Sequence, residues 1–301
     1  MPKRPVNIPK GAQGYAEFHE KLEKIIEENW GITPQFTNPF SWGYSSTGIY
    51  VKDVNQKEYV AMLAENTPSK RAAMEKNFTI ASKLNLSVRV PEQLKTKDGK
   101  FLLDIPRIEI KSGKDVENKL LSLGNFLSGI PPFDMNEDIT LQATNILREI
   151  HQVDPNSLGI RLDTIECERP RFLHGDLTPS NILVGYGKII AVLDFELSLI
   201  GPVEYDLARL AVFSWFRIQD SSFIVLLEKV QEEYGTEGAT ETSMELMKEF
   251  ALLHCQKHLN NVKQHKDVYE TEKAYKADLL FTERQLETLK ADLAQIPNPV
   301  L

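Results

Sequence analysis

The sequence has few of the features that mark secreted, membrane-spanning or nucleic-acid-binding proteins. Its 301 residues include only two cysteines, Cys167 and Cys255, whose spacing matches no metal or redox motif. No apolar run approaches the ~18 residues that a membrane span needs, and no apolar core follows the basic N-terminal residues as in a secretory signal. The formal net charge is -8, without a local basic stripe that would attract a phosphate backbone. We therefore expect a cytoplasmic globular protein without nucleic-acid or membrane partners.

The hydrophobic pattern changes along the chain and predicts an α+β fold of two lobes. Helices are predicted at 14–30, 69–84, 116–128, 138–152 and from 203 to about 295. Short strands are predicted within 40–65, at 88–94 and at 101–110, with a turn at Lys97-Asp98-Gly99. The pattern thus favours a small lobe with a mixed β-sheet over residues 1–110 and a larger, mainly helical lobe over 111–301.

A polar loop and a β-hairpin interrupt the helical part. Residues 174–181 read His-Gly-Asp-Leu-Thr-Pro-Ser-Asn, and residues 193–196 read Leu-Asp-Phe-Glu. Between these segments, two apolar runs flank a Gly-Tyr-Gly-Lys turn at 185–188, which is typical of a hairpin. Because a hairpin returns its far end to its start, we expect Asn181 and Asp194 to face one another, with Asp176 beside them.

These three side chains suit phosphoryl transfer. An amide oxygen and a carboxylate that converge on one point suit Mg²⁺, which prefers oxygen ligands. A second carboxylate that does not bind the metal can accept the proton of a hydroxyl nucleophile. The spacing of Asp, four residues and then Asn is also that of the catalytic loop of protein kinases, in which a later Asp-Phe pair holds magnesium.

The segment 172–210 resembles the aminoglycoside phosphotransferase/choline kinase family, whose members are small-molecule relatives of protein kinases. The shared motifs are His-Gly-Asp-x-x-x-x-Asn, the Leu-Asp-Phe-Glu strand end, Tyr-Asp-Leu-Ala at 205–208 and an upstream helix that ends near His151. The order of elements elsewhere is also similar, and the N-terminal lobe resembles that of homoserine-kinase-like members. The resemblance implies a bilobal protein-kinase-like fold that binds a nucleotide in the N-lobe and an acceptor in the C-lobe.

The resemblance also implies a role for each residue of the motifs. Asp176 becomes the catalytic base, and Asn181 and Asp194 become Mg²⁺ ligands. His174 belongs to the catalytic loop and would brace it through backbone hydrogen bonds, although a histidine there could also be purely structural. Asp206 would support the loop from the helix below, or would simply stabilise the N-terminus of that helix.

The family also has a flexible turn that covers the nucleotide phosphates. Residues 41–48 fit this turn, because their glycines permit close backbone approach and their hydroxyls can donate hydrogen bonds. The residues expected to contact the nucleotide here are Ser45, Ser46, Thr47 and Gly48. A Ser/Gly loop alone is weak support, since most such loops are only turns.

The lysine that the family carries on the following strand is missing. Met62 stands near its expected position, while Glu75 on the next helix fits the usual partner of that lysine. Three explanations compete: Lys52 reaches in from the preceding strand, another charge such as Arg71 or the metal substitutes, or the enzyme is weakened or inactive. We expect Lys52 to contact the nucleotide.

The acceptor is expected in a cleft lined by the helices after residue 203, with Glu196 and Trp215 among its residues. The acidic charge of the chain favours an amino sugar, an amino alcohol or an amino acid such as homoserine as the acceptor. His254 and His258 form an i, i+4 pair without a third metal ligand in range, so they are interpreted as ordinary helix residues.

The leading hypothesis is an ATP- and Mg²⁺-dependent phosphotransferase that acts on a hydroxyl group of a small molecule. The residues near 107–110 do not distinguish ATP from GTP. The alternative is a catalytically silent nucleotide-binding protein or scaffold, which the absence of the lysine motivates. A protein kinase is disfavoured because no Ala-Pro-Glu segment follows Asp194.

Overall fold

The computed structural model of the chain describes residues 12–40, 46–111, 115–132, 135–218, 222–235, 241–266, 269 and 271–294. The described residues form two compact units. The first extends to Ser82 and continues with Pro91–Leu127, and the second contains Lys83–Val90 and the residues from Ser128 onward.

The first unit is an antiparallel sheet with two helices. Its elements are α1 (Ala12–Trp30), β1 (Pro34–Phe40), β2 (Ser46–Asp53), β3 (Glu58–Glu65), α2 (Pro68–Ala81), β4 (Gln93–Leu94), β5 (Leu103–Ile108) and β6 (Val116–Asn125). The strands lie in the order β1-β2-β3-β6-β4, and β5 also pairs with β6. Because β2, β3 and β6 are neighbours, their registers fix where each candidate nucleotide-binding residue lies.

The two helices of this unit pack on different faces of the sheet. Phe18, Leu22 and Ile26 recur at helical spacing on α1 and pack with alternate residues of β2 and β3. From α2, Met74 and Phe78 pack against Ala64 of β3 and Leu120 of β6. Successive side chains of a strand point to opposite faces, so the α2 contact lies on the face that α1 leaves uncovered.

The helix predicted at 116–128 is wrong, because these residues form the strand β6. Leu120 packs with α2, whereas Leu121 and Leu123 pack with the α1 cluster, so the strand is buried on both faces. A strand buried on both sides has no alternation of apolar and polar residues, and periodicity does not distinguish its apolar run from a helix. With β6 included, the first unit continues to Leu127, beyond the boundary expected near residue 110.

The second unit is mainly helical, with two small sheets near its N-terminal end. Its elements are α3 (Glu137–His151), β7 (Asp163–Thr164), β8 (Arg171–Leu173), β9 (Ile182–Gly185), β10 (Lys188–Val192), β11 (Leu199–Gly201), α4 (Val203–Trp215), α5 (Phe223–Gly235), α6 (Met244–Gln264) and α7 (Glu272–Ala294). Strands β9 and β10 form the predicted hairpin, and β11 lies between β7 and β8. The α+β class is therefore confirmed, with strands in the N-terminal part and helices in the C-terminal part.

Helix α4 is the central helix of the second unit. Most of its residues are buried, and it packs against α3, α5 and α6. Two of its charged side chains, Asp206 and Arg209, contact the loop that connects β8 to β9. None of the helices in the described ranges is both long and apolar enough to cross a membrane.

Candidate active site

The loop between β8 and β9 carries the His-Gly-Asp segment and ends at the hairpin. A short 3₁₀ turn over Pro179–Asn181 leads into β9. The main-chain nitrogen of Leu193 donates to the main-chain oxygen of Asn181 at 2.9 Å, which continues the pairing of the hairpin by one step. Asp194 follows directly, with a φ of 64° that is rare for a residue other than glycine. As predicted, Asn181 and Asp194 lie at the same end of the hairpin.

The carboxylate of Asp176 is held on both of its oxygens. Asn181 Nδ2 donates to Asp176 Oδ2 at 3.0 Å and to the main-chain oxygen of Asp176 at 2.8 Å. Arg209 Nε donates to Asp176 Oδ1 at 2.8 Å, and Nη2 of the same guanidinium also contacts this oxygen. The Asp176 side chain remains 22% exposed, so solvent or a substrate still reaches it.

His174 is completely buried and braces the loop from inside, as the resemblance implies. Its Nε2 lies 3.1 Å from the main-chain oxygen of Leu193, and its Nδ1 lies 3.2 Å from the main-chain nitrogen of Asp176. Burial lowers the pKa of His174, although the charges of Asp206 and Asp176 oppose this change. A neutral ring that donates from Nε2 and accepts at Nδ1 satisfies both bonds.

Asp206 supports the same loop from α4. Its carboxylate accepts from the main-chain nitrogens of His174 at 2.7 Å and Gly175 at 2.9 Å, and it also contacts His151 Nε2 at 3.2 Å. Burial acts to raise the pKa of Asp206, but the hydrogen bond and charge of His151, the charge of His174 and the hydrogen bond from Gly175 together lower it. The geometry is therefore that of loop support, because the carboxylate binds loop nitrogens.

The chemistry of the hairpin end fits a magnesium ion. In the bonds described above, Asn181 uses its amide nitrogen, which directs the amide oxygen away from Asp176. This oxygen and the exposed carboxylate of Asp194 form a set of two oxygen donors. In the described part of the chain, no group of three or more His, Cys, Asp and Glu side chains could hold a metal. Two protein ligands suit Mg²⁺ that is bound mainly through nucleotide phosphates and water.

The residues expected at the phosphates lie at the start of β2, except for Ser45, which lies outside the described residues. Thr47 is fully buried. Because successive side chains point to opposite faces of a strand, Thr47 lies on the same face of β2 as Ile49 and Val51, which pack against α1. Its hydroxyl has no hydrogen-bond partner among the described residues. Ser46 and Gly48 lie on the opposite face of the strand, which is the face that carries Met62.

The structure does not bring Lys52 to the position of the missing lysine. Met62 pairs with Gly48 across β2 and β3, whereas Lys52 pairs with Glu58. Four residues of strand separate the two pairs, which is about 13 Å at ~3.3 Å per residue. A lysine side chain does not span this distance, and the idea that Lys52 substitutes beside Met62 is therefore corrected.

The other expected charges of the first unit are not grouped either. Glu75 is exposed on α2, and no ion pair joins it to a cation within the described ranges. Arg71, the second candidate substitute, forms an ion pair with Asp104 and donates to Asn66. The described residues of the first unit therefore do not reproduce the lysine–glutamate pair of the family.

The two expected acceptor-pocket residues lie in different environments. Glu196 is half-buried two residues beyond Asp194, and its main-chain nitrogen donates to Asp194 Oδ1 at 3.2 Å. Trp215 is buried at the end of α4 and packs against Phe223 of α5, with ring centroids 5.4 Å apart. Trp215 therefore belongs to the helical core, which corrects its assignment to a pocket.

Sequence reasoning missed three residues that contact the loop or its supports. Arg209 binds Asp176, His254 lies beside Arg209, and His151 binds Asp206. Arg209 comes three residues after Asp206, a spacing that places both side chains on neighbouring positions of one helix face. That spacing was the available signal for Arg209, whereas His254 lies on α6 and no local pattern connects it to the loop.

Comparisons with known proteins agree with this geometry. The sequence model of the phosphotransferase enzyme family matches residues 37–241, which is more than half of the chain. No curated protein sequence matches the chain significantly.

Solved structures show the same fold at low sequence identity. A microcompartment-associated aminopropanol kinase is 12% identical with a TM-score of 0.66, covering 92% of this chain and 98% of its own. An amicoumacin kinase in complex with AMP-PNP and Ca²⁺ is 12% identical with a TM-score of 0.64, covering 90% of this chain and 94% of its own. A macrolide 2'-phosphotransferase from Brachybacterium faecium is 15% identical with a TM-score of 0.58, covering 93% of this chain and 100% of its own.

These likenesses confirm the protein-kinase-like fold of small-molecule kinases, and the family match includes the catalytic loop, the hairpin and α4. The chain therefore belongs to the phosphotransferase enzyme family, and it is a phosphotransferase.

Proposed function

We propose that the protein transfers the γ-phosphoryl group of ATP, with Mg²⁺, to a hydroxyl group of a small molecule. The observation that carries this proposal is the contact between Asp176 and Asn181 at the end of the hairpin where Asp194 also lies. A proton acceptor and two oxygen donors at one end of a hairpin are the groups that phosphoryl transfer requires.

Each residue of this set has a separate task. Asp176 accepts a hydrogen bond from the acceptor hydroxyl and takes its proton as the phosphoryl group moves. Asn181 and Asp194 would hold Mg²⁺, which would supply positive charge to neutralise the transferring phosphate. Asp206 and His174 keep the loop in place through main-chain hydrogen bonds.

The names of the similar structures support the nucleotide and the class of acceptor. The amicoumacin kinase is in complex with AMP-PNP, and a spectinomycin phosphotransferase is in complex with ADP, so adenine nucleotides favour ATP over GTP. The other names specify an aminopropanol and a macrolide 2' position. An alcohol-bearing amine, amino sugar or antibiotic is therefore the proposed acceptor. We place the activity in the cytoplasm, since both cysteines are free thiols.

The test begins with thermal stability in the presence of ATP and Mg²⁺, followed by ATP turnover on amino sugars, amino alcohols, hydroxy amino acids and macrolides. We expect nucleotide to raise the melting temperature and at least one acceptor to accelerate ATP consumption. A melting shift without turnover on any acceptor would instead support the silent nucleotide-binding protein that Met62 suggested. Absence of both responses would contradict the proposed function.

Two variants assign the roles within this experiment. Asp176→Asn should lower turnover by about 10²–10⁴-fold, because a general base contributes that much, while the melting shift with MgATP remains. Asp194→Ala should remove the Mg²⁺-dependent part of that shift. Asp163→Asn, a change at an exposed carboxylate of the second unit, serves as the control and should leave both measurements unchanged.

A further inference from the structure

Arg209 is held in one orientation by contacts on all sides of its guanidinium. Nε and Nη2 donate to Asp176 Oδ1, and Nη1 lies 3.3 Å from Nδ1 of His254. The guanidinium carbon also lies 5.0 Å from the ring centroid of Phe213, within cation–π distance. Only 17% of the Arg209 side chain is exposed. The side chain is therefore fixed, unlike most surface arginines.

His254 is suited to accept a hydrogen bond from this arginine. It is fully buried on α6, and its Nε2 lies 3.0 Å from the main-chain oxygen of Tyr205, to which it can only donate. In the neutral ring Nδ1 then carries no proton and accepts from Arg209. Burial, followed by the charge of Arg209, lowers the pKa of His254 to about 3, so the ring is neutral at ordinary pH.

The carboxylate of Asp176 is therefore held by two separate parts of the fold. Arg209 of α4 binds Oδ1, and Asn181 at the start of the hairpin binds Oδ2. Rotation of the carboxylate would break one of these bonds. Phosphoryl transfer depends on the position of the reacting groups and on charge more than on base strength. The remaining lone pairs of both oxygens can still accept from an acceptor hydroxyl.

We propose that Arg209, oriented by His254, is a positioning residue that fixes the Asp176 carboxylate for the acceptor hydroxyl. This inference rests on the proposed function, because it gives Arg209 a task in that reaction. A positioning role and a purely structural ion pair differ in the property that a substitution of Arg209 would change. Loss of a structural pair lowers stability, whereas loss of a positioning group lowers kcat in protein that is still folded.

The first test replaces Arg209 and measures steady-state turnover of MgATP with the fastest alcohol of the panel. Arg209→Ala should lower kcat by about 10–100-fold, as expected when a reacting group is displaced by about 1 Å. The KM for MgATP should stay within about twofold, because the guanidinium contacts Asp176 and not the metal ligands. Arg209→Lys should recover part of kcat, since it restores the charge but not the two nitrogens that donate together to Asp176 Oδ1.

The second test separates the two hydrogen bonds of His254. His254→Asn places an amide oxygen near the Nδ1 position and retains an acceptor for Arg209, whereas His254→Gln retains a donor for the Tyr205 oxygen. If His254 acts through Arg209, the Asn variant keeps most of kcat and the Gln variant loses about as much as Arg209→Lys. Equal kcat losses in both variants would contradict the orienting role of His254.

Lys229→Met serves as the control, because it removes a surface ion pair with Glu137 in the same unit. Its kcat should equal that of the wild type. An Arg209→Ala enzyme with wild-type kcat, or with a loss explained entirely by KM or by lower stability, would overturn the inference. Lack of turnover by the wild type on every acceptor would instead count against the proposed function itself.

Discussion

Two carboxylates at the catalytic loop, Asp176 within the loop and Asp206 on α4 below it, are each bound by groups from more than one element. Asp206 accepts from two loop nitrogens and from His151 of α3, and Asp176 accepts from Arg209 of α4 and Asn181. A buried charge is costly unless hydrogen bonds and opposite charges satisfy it. Removal of one partner therefore leaves the other side chain unsatisfied, which makes these residues sensitive to substitution even where they do not contact substrate.

Lys52 provides a prediction at this scale, because its position on β2 separates it from Met62. Lys52→Ala should leave the KM for MgATP within about twofold of the wild-type value, since the side chain does not reach the position of the missing lysine. Steady-state ATP titration measures this value. An increase of about tenfold would show that Lys52 binds nucleotide in spite of its register, and the first explanation for the missing lysine would then be restored.

The sequence was sufficient to predict the grouping of Asp176, Asn181 and Asp194, because the loop and a short hairpin bring them together locally. It was not sufficient for Arg209 and His254. Their contact joins α4 to α6 across 45 residues of sequence, and such a contact depends on helix packing. Trp215 was misassigned for the same reason, since its burial against Phe223 is decided by the packing of α4 on α5.

At the level of elements, the loop before the hairpin depends on one glycine. Gly175 has a φ of 79°, and a Cβ at this position would collide with the main-chain oxygen of Leu197. This close approach allows the loop to pack beside the segment that leads into β11, where Ser198 Oγ also donates to the main-chain oxygen of His174 at 3.2 Å. The His-Gly-Asp motif thus needs glycine for both conformation and space.

Gly175→Ala should destabilise the second unit by more than the ~1–3 kcal/mol that a strained backbone alone costs, because the loop must also move away from Leu197. Turnover should fall with it, since His174 and Asp176 flank this position. Gly187→Ala is the matched control: Gly187 has a φ of 74° in the hairpin turn, with open space around a Cβ. Urea denaturation should show the smaller loss for Gly187→Ala, and equal losses would contradict the role of the collision.

The strand β6 shows the limit of sequence patterns at the same scale. Its residues Leu120, Leu121 and Leu123 form an apolar run that also fits a buried helix face. Only the pairing with the neighbouring strands decides between the two structures, and the pairing with β3 joins distant residues, since Glu65 and Lys119 are 54 positions apart. Hairpin β9–β10 could be predicted because its two strands are adjacent in sequence and a short turn connects them.

At the scale of the whole molecule, burial of histidines links stability to pH. The pKa values of four histidines are lowered, in each case mainly by burial, and they are His19, His174, His254 and His258. The unfolded chain binds protons at these rings near pH 6.5, whereas the folded chain does so only at lower pH. The unfolded state therefore gains protons first as the pH falls, and acid favours unfolding.

The free energy of unfolding should be nearly constant between about pH 7 and about pH 8 and should decrease below about pH 6.5. It should also decrease above about pH 8.5, because burial raises the pKa of the Cys167 and Cys255 thiols in the folded state. His254, with a pKa of about 3 in the folded protein, should alone contribute about 1.4 kcal/mol per pH unit between about pH 6.5 and about pH 3. Urea denaturation followed by tryptophan fluorescence at several pH values measures this slope. His254→Gln should reduce it by about that amount, because glutamine does not titrate. An unchanged slope in the His254 variant would show that His254 does not titrate differently in the two states.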